Sequence, residues 1–329
     1  MQQDYYILLY YCYTSIADPE AFRLQHHQYC ADLGLKGRII VASEGINGTV
    51  SGLATACEAY MAHLKADPAF AHIDFKVDTH GQHAFQKLNV RVKPEIVHAD
   101  LQHINPTKRT GVHISPQELD VMRKEADVVL LDVRSKYEHQ VGKFKDAVTL
   151  DINHFREFQK QVPHLKQYKE KKIITYCTGG IKCEKASAYL LEQGFENVYQ
   201  LHGGIINYGN ETAGEAFEGK CYVFDNRILK DINTKQATTI SKCHACATAC
   251  DRMVNCANPD CNEHVPLCAA CGERLGGACS EACQSHPHKR QYDGTGYYVK
   301  QLNGYDPYHA LGAAGKTAIA QMQSSLKSL

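Results

Sequence analysis

The sequence predicts a mixed α+β and α/β protein, and three features of its 329 residues support that prediction. Strand candidates rich in aromatic residues flank two helix candidates near the N-terminus. Short apolar strands alternate with helices in the middle of the chain, and cysteines crowd its last third. A chain of this length predicts two or three domains. We place them at 1–100, 112–215 and 216–295, followed by a tail over 296–329.

The first segment predicts the order strand, helix, strand, strand, helix, strand. The stretch "YYILLYYCY" (5–13) is an aromatic-rich strand candidate. The stretch 18–35 predicts a helix with Asp18 as its N-cap and Leu24 among its inward-facing side chains. Two strands around a turn, a second helix and a further strand follow at 37–52, 54–67 and 72–78. This order is that of the split βαβ unit, a ferredoxin-like or acylphosphatase-like domain.

The central segment predicts an α/β domain with a mainly parallel sheet. A helix over 182–195 separates the last two of its short apolar strands, and such alternation is typical of parallel sheets. The preceding stretch, 106–119, predicts a linker and a helix start, and no regular elements are predicted from 216 onward. The predicted strands cover 127–133, 146–152, 171–177 and 197–201.

Cys177 ends an apolar strand in "TYCTGGIKCEK" (175–185). Ligands bind at the carboxyl ends of strands in open α/β sheets. A glycine-rich turn offers inward N–H groups, and a helix N-terminus and Lys182 favour a thiolate. These features predict a nucleophilic or sulfur-carrying cysteine, although a buried, inert one stays possible. The predicted active-site loop comprises Thr178, Gly179, Gly180, Ile181, Lys182 and Cys183.

The sequence leaves open the role of Cys183 and the role of the pair Asp132 and Arg134. A thiol phosphatase needs an arginine at the far end of the loop to bind phosphate, and Cys183 in that region cannot supply the charge. Cys183 is either a packed helix residue or a resolving thiol for an oxidised Cys177. Asp132 and Arg134 in "DVRSKYEH" form either an ion pair that supports the loop or a surface pair of little consequence.

Composition narrows the functional classes. Lys and Arg number 36 against 36 Asp and Glu, so no global positive field indicates a general nucleic-acid binder. The longest nearly apolar run, 5–13, is far shorter than the roughly 20 residues that span a bilayer, and no signal peptide is evident. We therefore expect a cytoplasmic protein without membrane contact. Fifteen cysteines in such a chain favour metal binding or catalysis over disulfides.

Nine of these cysteines lie between Cys243 and Cys283. Two CxxC pairs separated by 21 residues indicate a tetrahedral zinc site of Cys243, Cys246, Cys268 and Cys271. The interleaved spacing predicts a second Cys₄ site. Its members are Cys256, Cys261, Cys279 and Cys283. Another partition uses Cys250 or one of His244, His264, His286 and His288.

These motifs carry a resemblance to a known family. The stretches 130–148, 176–195 and 198–208 resemble a rhodanese domain with Cys177 at the catalytic position. "SEGINGTVSG" (43–52), "FQKLNVRVKPEIV" (85–97) and "CYVFDNR" (221–227) are similar to the TrhO family, the rhodanese-domain tRNA uridine hydroxylases. The resemblance implies oxygen-dependent conversion of the wobble uridine, position 34 of tRNA, to 5-hydroxyuridine. An ordinary rhodanese, the alternative, is a sulfurtransferase that carries a persulfide on Cys177. An inert rhodanese domain in a zinc-containing binding module is disfavoured because Cys177 is intact.

An anticodon stem-loop substrate needs a local basic patch. The best candidate is formed by Lys87, Arg91 and Lys93, of which the last two share one face of a strand. A second is "HPHKRQY" (286–292), and either is otherwise a solvated surface. Glu44 and Asn47 either shape a turn or reach RNA.

No iron facial triad or flavin, haem or NAD motif is evident, so we expect zinc and molecular oxygen alone. In one route the Cys177 thiolate adds to C6 of uracil, and C5 then reacts with oxygen. In the other, Cys177 is oxidised first and transfers the oxygen. Either route needs the Cys177 sulfur, and hydroxylation and persulfide transfer alike need an accessible thiolate. The sequence leaves the electron donor open.

Overall fold

A five-stranded sheet with two helices forms the N-terminal part of the structure, a computed structural model that describes residues 4–296. The strand order is β4-β1-β3-β2-β5, in which only the pairing of β2 with β5 is parallel. The predicted α+β class is therefore confirmed, with β5 as an added edge strand. The elements are β1 (Tyr5–Tyr13), α1 (Pro19–Asp32), β2 (Lys36–Ala42), β3 (Gly45–Leu53), α2 (Ala54–Ala66), β4 (Asp74–His80) and β5 (Leu88–Val92).

Helix α1 begins as predicted but buries a different face. The Asp18 carboxylate accepts hydrogen bonds from the first backbone N–H groups of the helix. Leu24, predicted to face inward, is 59% exposed. It follows Phe22 by two positions and so lies on the opposite side of a helix with 3.6 residues per turn. His26 and Cys30 are buried instead.

The side chains of strand β1 point alternately to the two faces of the sheet. Leu8 and Tyr10 are fully buried in the core beneath the helices. Because strand side chains alternate, Leu9 and Tyr11 point to the other face. That second face packs against the central domain.

The central domain contains a five-stranded sheet of order β6-β11-β10-β7-β9. Every neighbouring pair is parallel, as predicted. The predicted strand 146–152 shortens to two residues, while β6 falls within the predicted linker and α7 was not predicted. The elements are β6 (Val112–Ile114), α3 (Pro116–Met122), β7 (Val128–Asp132), α4 (Lys136–His139), β8 (Gly142–Phe144), β9 (Val148–Thr149), α5 (Phe158–Gln161), β10 (Lys172–Tyr176), α6 (Ile181–Glu192), β11 (Val198–Leu201) and α7 (Gly204–Glu211).

Two further strands continue the first compact unit, which ends at Thr238. Strand β12 (Phe217–Tyr222) pairs with both β8 and β13 (Leu229–Asp231). The expectation of no regular elements from 216 onward is therefore wrong. The pairing of β12 with β8, more than seventy positions earlier in the chain, is beyond the reach of a local pattern.

The second unit begins at Thr239. It contains a hairpin of β14 (Met253–Asn255) and β15 (His264–Pro266), followed by α8 (Ala269–Leu275) and α9 (Glu281–Gln284). The tail predicted over 296–329 lies outside the described residues apart from Gly296. Within residues 4–296, no helix has both the length and the apolar character needed to cross a membrane.

Candidate active site and metal centres

The Cys177 thiol lies in a loop of backbone N–H groups between β10 and α6. The Gly180 N–H donates a hydrogen bond to Cys177 Sγ over 3.2 Å. Gly180 has φ +100°, which glycine adopts without strain, and it directly precedes α6. The side chain of Cys177 is nevertheless buried, with 1% of the residue exposed. The accessible thiolate expected from the sequence is therefore not seen in this conformation.

The N-terminus of α7 fixes the other side of the loop. The Ile205 and Ile206 N–H groups donate to the carbonyls of Cys177 and Thr178 over 2.9 and 3.0 Å. A Cβ on Gly204 would lie only 2.4 Å from the Cys177 carbonyl oxygen, and Gly204 has φ +66°. The glycine therefore allows the close approach that holds the loop in place.

The surroundings of Cys177 favour its thiolate. Burial raises the pKa of this thiol, but the Cys183 thiol, the charge of Lys182 and backbone N–H groups outweigh burial and lower the pKa to about 7. The pKa of Cys183, in contrast, is raised well above its ordinary value by burial and by Cys177. Cys183 is fully buried in the same core cluster. Of the two thiols, Cys177 is the one poised to ionise.

Lys182 does more than lower this pKa. Its Nζ donates to Glu138 Oε2 over 2.6 Å, and the Glu138 side chain is fully buried. The ammonium group is thus already paired. The Thr178 hydroxyl donates to the Tyr222 carbonyl over 3.3 Å, tying the loop to β12.

Asp132 and Arg134 form a buried ion pair beside β10, the strand that directly precedes Cys177. Both side chains are fully inaccessible, and two guanidinium nitrogens bind the two carboxylate oxygens over 2.9 and 2.6 Å. The guanidinium also lies 5.7 Å from the Tyr176 ring centroid. The alternative of a surface pair is therefore wrong. The pair supports the end of β10 from within the core.

The second face of the N-terminal sheet covers the active-site loop. A Cβ on Gly179 would lie 2.7 Å from a methyl group of Leu9. A Cβ on Gly180 would lie 3.0 Å from the Tyr11 hydroxyl. β1 therefore closes over the loop as a lid of two side chains.

Glu184, which sequence reasoning missed, joins the two domains beside the loop. One of its oxygens accepts from Tyr11 and His113, each at 2.9 Å, and the other accepts from Thr110 and Gln200. Burial raises the pKa of Glu184, but these donors outweigh burial and lower it. A cavity of about 250 Å³ opens beside this carboxylate. Tyr11 and Glu184 are 173 positions apart, so no local sequence signal links them.

A buried lysine makes a second connection between the domains. Lys185 Nζ, fully buried, lies 2.7 Å from Glu44 and 3.4 Å from Glu95. Glu44 and Asn47 also bind the N–H and carbonyl of Ile96. Of the two alternatives for Glu44 and Asn47, shaping the chain is the one that these contacts support.

The predicted RNA-contact residues lie on the surface of the N-terminal domain. Lys87, Arg91 and Lys93 are all exposed and flank or occupy β5, with odd numbers that give them a common strand face. In the second candidate patch, Arg290 is instead engaged with the carbonyls of Cys256 and Ala257.

The eight predicted metal ligands form the two predicted groups. Within each group, the four sulfurs lie within 4.8 Å of one another. Neither Cys250 nor a histidine joins either group within residues 4–296. The groups are Cys243, Cys246, Cys268 and Cys271, and Cys256, Cys261, Cys279 and Cys283.

The donor geometry fits a tetrahedral metal ion. Sulfurs about 2.3 Å from a tetrahedral zinc stand about 3.8 Å apart. The measured separations are 3.8 Å for Cys246 and Cys268 and 3.7 Å for Cys261 and Cys279. The Cys268 N–H also donates to Cys243 Sγ. Each group of thiols is therefore able to bind a metal ion.

Comparison with known protein families identifies the class of three segments of the chain. Residues 5–96 match the UPF0176 acylphosphatase like domain, 115–211 the rhodanese-like domain and 218–284 the rhodanase C-terminal family. The loop that holds Cys177 therefore lies in a rhodanese-like domain.

Curated relatives then give the family. A protein of Cytophaga hutchinsonii named tRNA uridine(34) hydroxylase is 63% identical, covering 93% of this chain and 98% of the relative. A protein of Onion yellows phytoplasma with the same name is 46% identical, covering 91% of this chain and 96% of the relative. The chain belongs to the tRNA uridine(34) hydroxylase family, which confirms the resemblance drawn from its motifs.

Proposed function

We propose that this protein hydroxylates C5 of uridine 34 in tRNA, with molecular oxygen as co-substrate and Cys177 as the reacting group. The family relationship along nearly the whole chain supports the reaction. The observation that carries the role of Cys177 is a thiol of pKa about 7 inside a loop of N–H donors. The same relationship favours hydroxylation over persulfide transfer.

The proposed reaction begins with addition of the Cys177 thiolate to C6 of uracil, which leaves a nucleophilic C5. C5 takes up oxygen as a hydroperoxide, and two electrons and two protons from a donor convert that group to a hydroxyl and water. Loss of the C5 proton and of the thiolate restores the double bond. The loop N–H groups then stabilise the returning thiolate.

Access to the thiol requires a change in the lid formed by Leu9 and Tyr11. Because Cys177 is 1% exposed, a nucleobase reaches it only when these side chains move away from the loop. Enzymes that modify a base commonly take it out of its stack into a pocket. We infer that tRNA binding drives this movement.

The two Cys₄ groups are proposed to hold structural zinc. All four ligands at each group are protein thiols, so no coordination position is left open for a substrate. When bound, zinc supplies a cross-link that stabilises the fold of this unit. The chemistry at uridine is assigned to the Cys177 loop.

Lys87, Arg91 and Lys93 are proposed to bind phosphates of the anticodon stem-loop. Reversal of all three charges should weaken tRNA binding and flatten its dependence on salt. Reversal of Lys166, Lys169 and Lys171, which lie in the central domain between α5 and β10, is the matched control. If both triple variants bound tRNA equally well, the proposal that Lys87, Arg91 and Lys93 bind tRNA would be refuted. A tRNA substrate also supports the proposal that the protein acts in the cytoplasm.

Mass analysis of tRNA nucleosides from a deletion strain tests the reaction. Loss of 5-hydroxyuridine-type nucleosides, restored by the wild-type chain but not by Cys177→Ser, is the expected result. Loss of thiolated nucleosides with 5-hydroxyuridine intact would instead identify a sulfurtransferase. Labelling with ¹⁸O₂ should place the heavy atom on C5, and label from water alone would exclude molecular oxygen as the source.

A further inference from the structure

The second face of the N-terminal sheet is only half covered by the central domain. In the strand register, Leu9 lies opposite Thr49, Thr49 opposite Arg38, and Arg38 opposite Asn89. These four side chains therefore share one face. The Leu9 end lies under Gly179, whereas Arg38 is exposed. The β2 and β5 half of the face remains open next to the active-site loop.

The open half is strongly basic. Alternate positions of β2 and of the segment through β5 bring only uncharged or cationic residues to this face. Arg38 and Lys36 extend the patch predicted from sequence, and they come from a different strand. Such a surface is complementary to a phosphate backbone. The cations are Lys36, Arg38, Lys87, Arg91 and Lys93.

An aromatic pair borders the same loop. The rings of Tyr222 and Phe224 are 5.3 Å apart and nearly perpendicular. Phe224 is 42% exposed and is the only aromatic among the large hydrophobic side chains that are exposed within residues 4–296. Lys182, whose charge lowers the Cys177 pKa, has its Nζ 5.6 Å from the Phe224 ring centroid. The exposed ring therefore lies beside a residue of the active-site loop.

Arg38 connects the basic face with this pair. Thr49, which lies opposite Arg38 in the strand register, lines one cavity together with Phe224 and with Thr178 of the active-site loop. The Tyr222 carbonyl also accepts the hydrogen bond from Thr178 in the loop. Cation, aromatic pair and active-site loop are therefore neighbours.

We infer that Phe224, backed by Tyr222, stacks an unpaired base next to the target uridine, while Arg38 binds an adjacent phosphate. Single-stranded RNA is held by this combination of aromatic stacking and backbone charge neutralisation. This inference rests on the proposed function, because it takes an anticodon loop as the occupant. It adds a base-stacking residue to a site otherwise described by its thiol and its cations.

Binding of a synthetic anticodon stem-loop with uridine at position 34 tests the assignment. Phe224→Ala should weaken binding about tenfold without changing its salt slope. Phe224→Tyr should restore it. Arg38→Ala should reduce the slope by about one. Leu24→Ala, which removes an exposed apolar side chain from α1, is the control and should leave binding unchanged.

Fluorescence of 2-aminopurine next to position 34 reports stacking directly. The probe should be quenched on binding to the wild-type protein and to Phe224→Tyr, and much less by Phe224→Ala at saturating protein. Wild-type affinity and full quenching in Phe224→Ala would overturn the inference. So would equal loss of binding by Leu24→Ala.

These measurements separate the inference from the proposed function because binding is read without turnover. If the wild-type protein forms no 5-hydroxyuridine but Phe224→Ala loses binding, the reaction is wrong and the stacking site stands. If wild-type activity is present and Phe224→Ala binds normally, the stacking site alone is wrong.

Discussion

The cysteine side chain has different surroundings at Cys177 and at the eight grouped cysteines of the second unit. Cys177 meets backbone N–H groups, one further thiol and the charge of Lys182. Each of the eight grouped cysteines instead lies within 4.8 Å of three other sulfurs. N–H donors stabilise one thiolate without another ion, so its charge stays available for reaction. Four close thiolates repel one another unless a cation lies between them.

The two regions also differ in what fixes their geometry. The Cys177 loop depends on groups from distant parts of the chain, including α7 and β1. The cysteine groups are fixed within one short segment, by turns whose N–H groups donate to the sulfurs. Loss of one cysteine should therefore remove a reaction in the first region and a local fold in the second.

The largest expected effect is that of Cys177→Ser. A serine hydroxyl does not ionise near neutral pH, so 5-hydroxyuridine should fall below detection in a reaction with purified tRNA. Zinc content and tRNA affinity should match the wild-type protein. Cys183→Ser should retain more activity if Cys183 only packs. Full activity of Cys177→Ser would refute the assignment of the reacting group.

Cys256→Ser tests the cysteine groups of the second unit. Removal of one of four ligands should release about one zinc per chain and lower the unfolding temperature of the second unit, because metal-binding free energy contributes to folding. Elemental analysis and thermal unfolding measure both. Cys250→Ser, in the same segment but in neither group, should retain two zinc ions. Equal metal loss in both variants would contradict the pairing.

Arg134→Ala tests how far the Cys177 loop depends on its buried support. Asp132 would be left buried without its cation, a change that typically costs about 3–5 kcal/mol. Denaturant unfolding should show that loss. Arg123→Ala breaks the partly exposed pair with Asp120, at 3.0 Å, and should cost at most about 1 kcal/mol. Similar losses in the two variants would show that burial of the first pair carries no extra stability.

Local sequence patterns predicted what depends on local chain geometry. The aromatic-rich stretch 5–13 predicted β1 with its observed bounds, and cysteine spacing predicted both groups of close sulfurs. The Gly-Gly loop after a strand predicted the N–H donors around Cys177. The signals for β1 and for the loop lie within a few residues of the features that they predict, and those for the cysteine groups lie within one segment of the chain.

Contacts between distant segments were not predictable in this way. The Glu184 network, the cover supplied by Leu9 and the pairing of β12 with β8 each join residues far apart in the chain. Lys182 illustrates the limit within the site, since its position was predicted but its pairing with Glu138 was not. Leu24 shows that a hydrophobic residue in a helix need not lie on its buried face.

The smallest expected effect is on the pH dependence of alkylation, which should differ between Cys177 and ordinary buried thiols. Folding lowers the pKa of Cys177 from 9.0 to about 7. The thiolate is therefore favoured by the fold between these values, and this advantage is lost as pH falls through 7. The alkylation rate of Cys177 by iodoacetamide, followed by peptide mass spectrometry, should rise about tenfold per pH unit up to 7 and level off above it, since the thiolate is the nucleophile.

Absolute rates should be low because the thiol is 1% exposed. They should rise on addition of tRNA under the proposal that tRNA binding moves Leu9 and Tyr11 away from the loop. Cys12 is the internal control, because burial raises its pKa to about 11 and its rate should still increase above pH 9. Protein purified and assayed with added zinc is used, so that the eight cysteines proposed as metal ligands are protected. A midpoint near 9 for Cys177 would mean that the loop does not stabilise its thiolate, and the contrast with the grouped cysteines would then rest on accessibility alone.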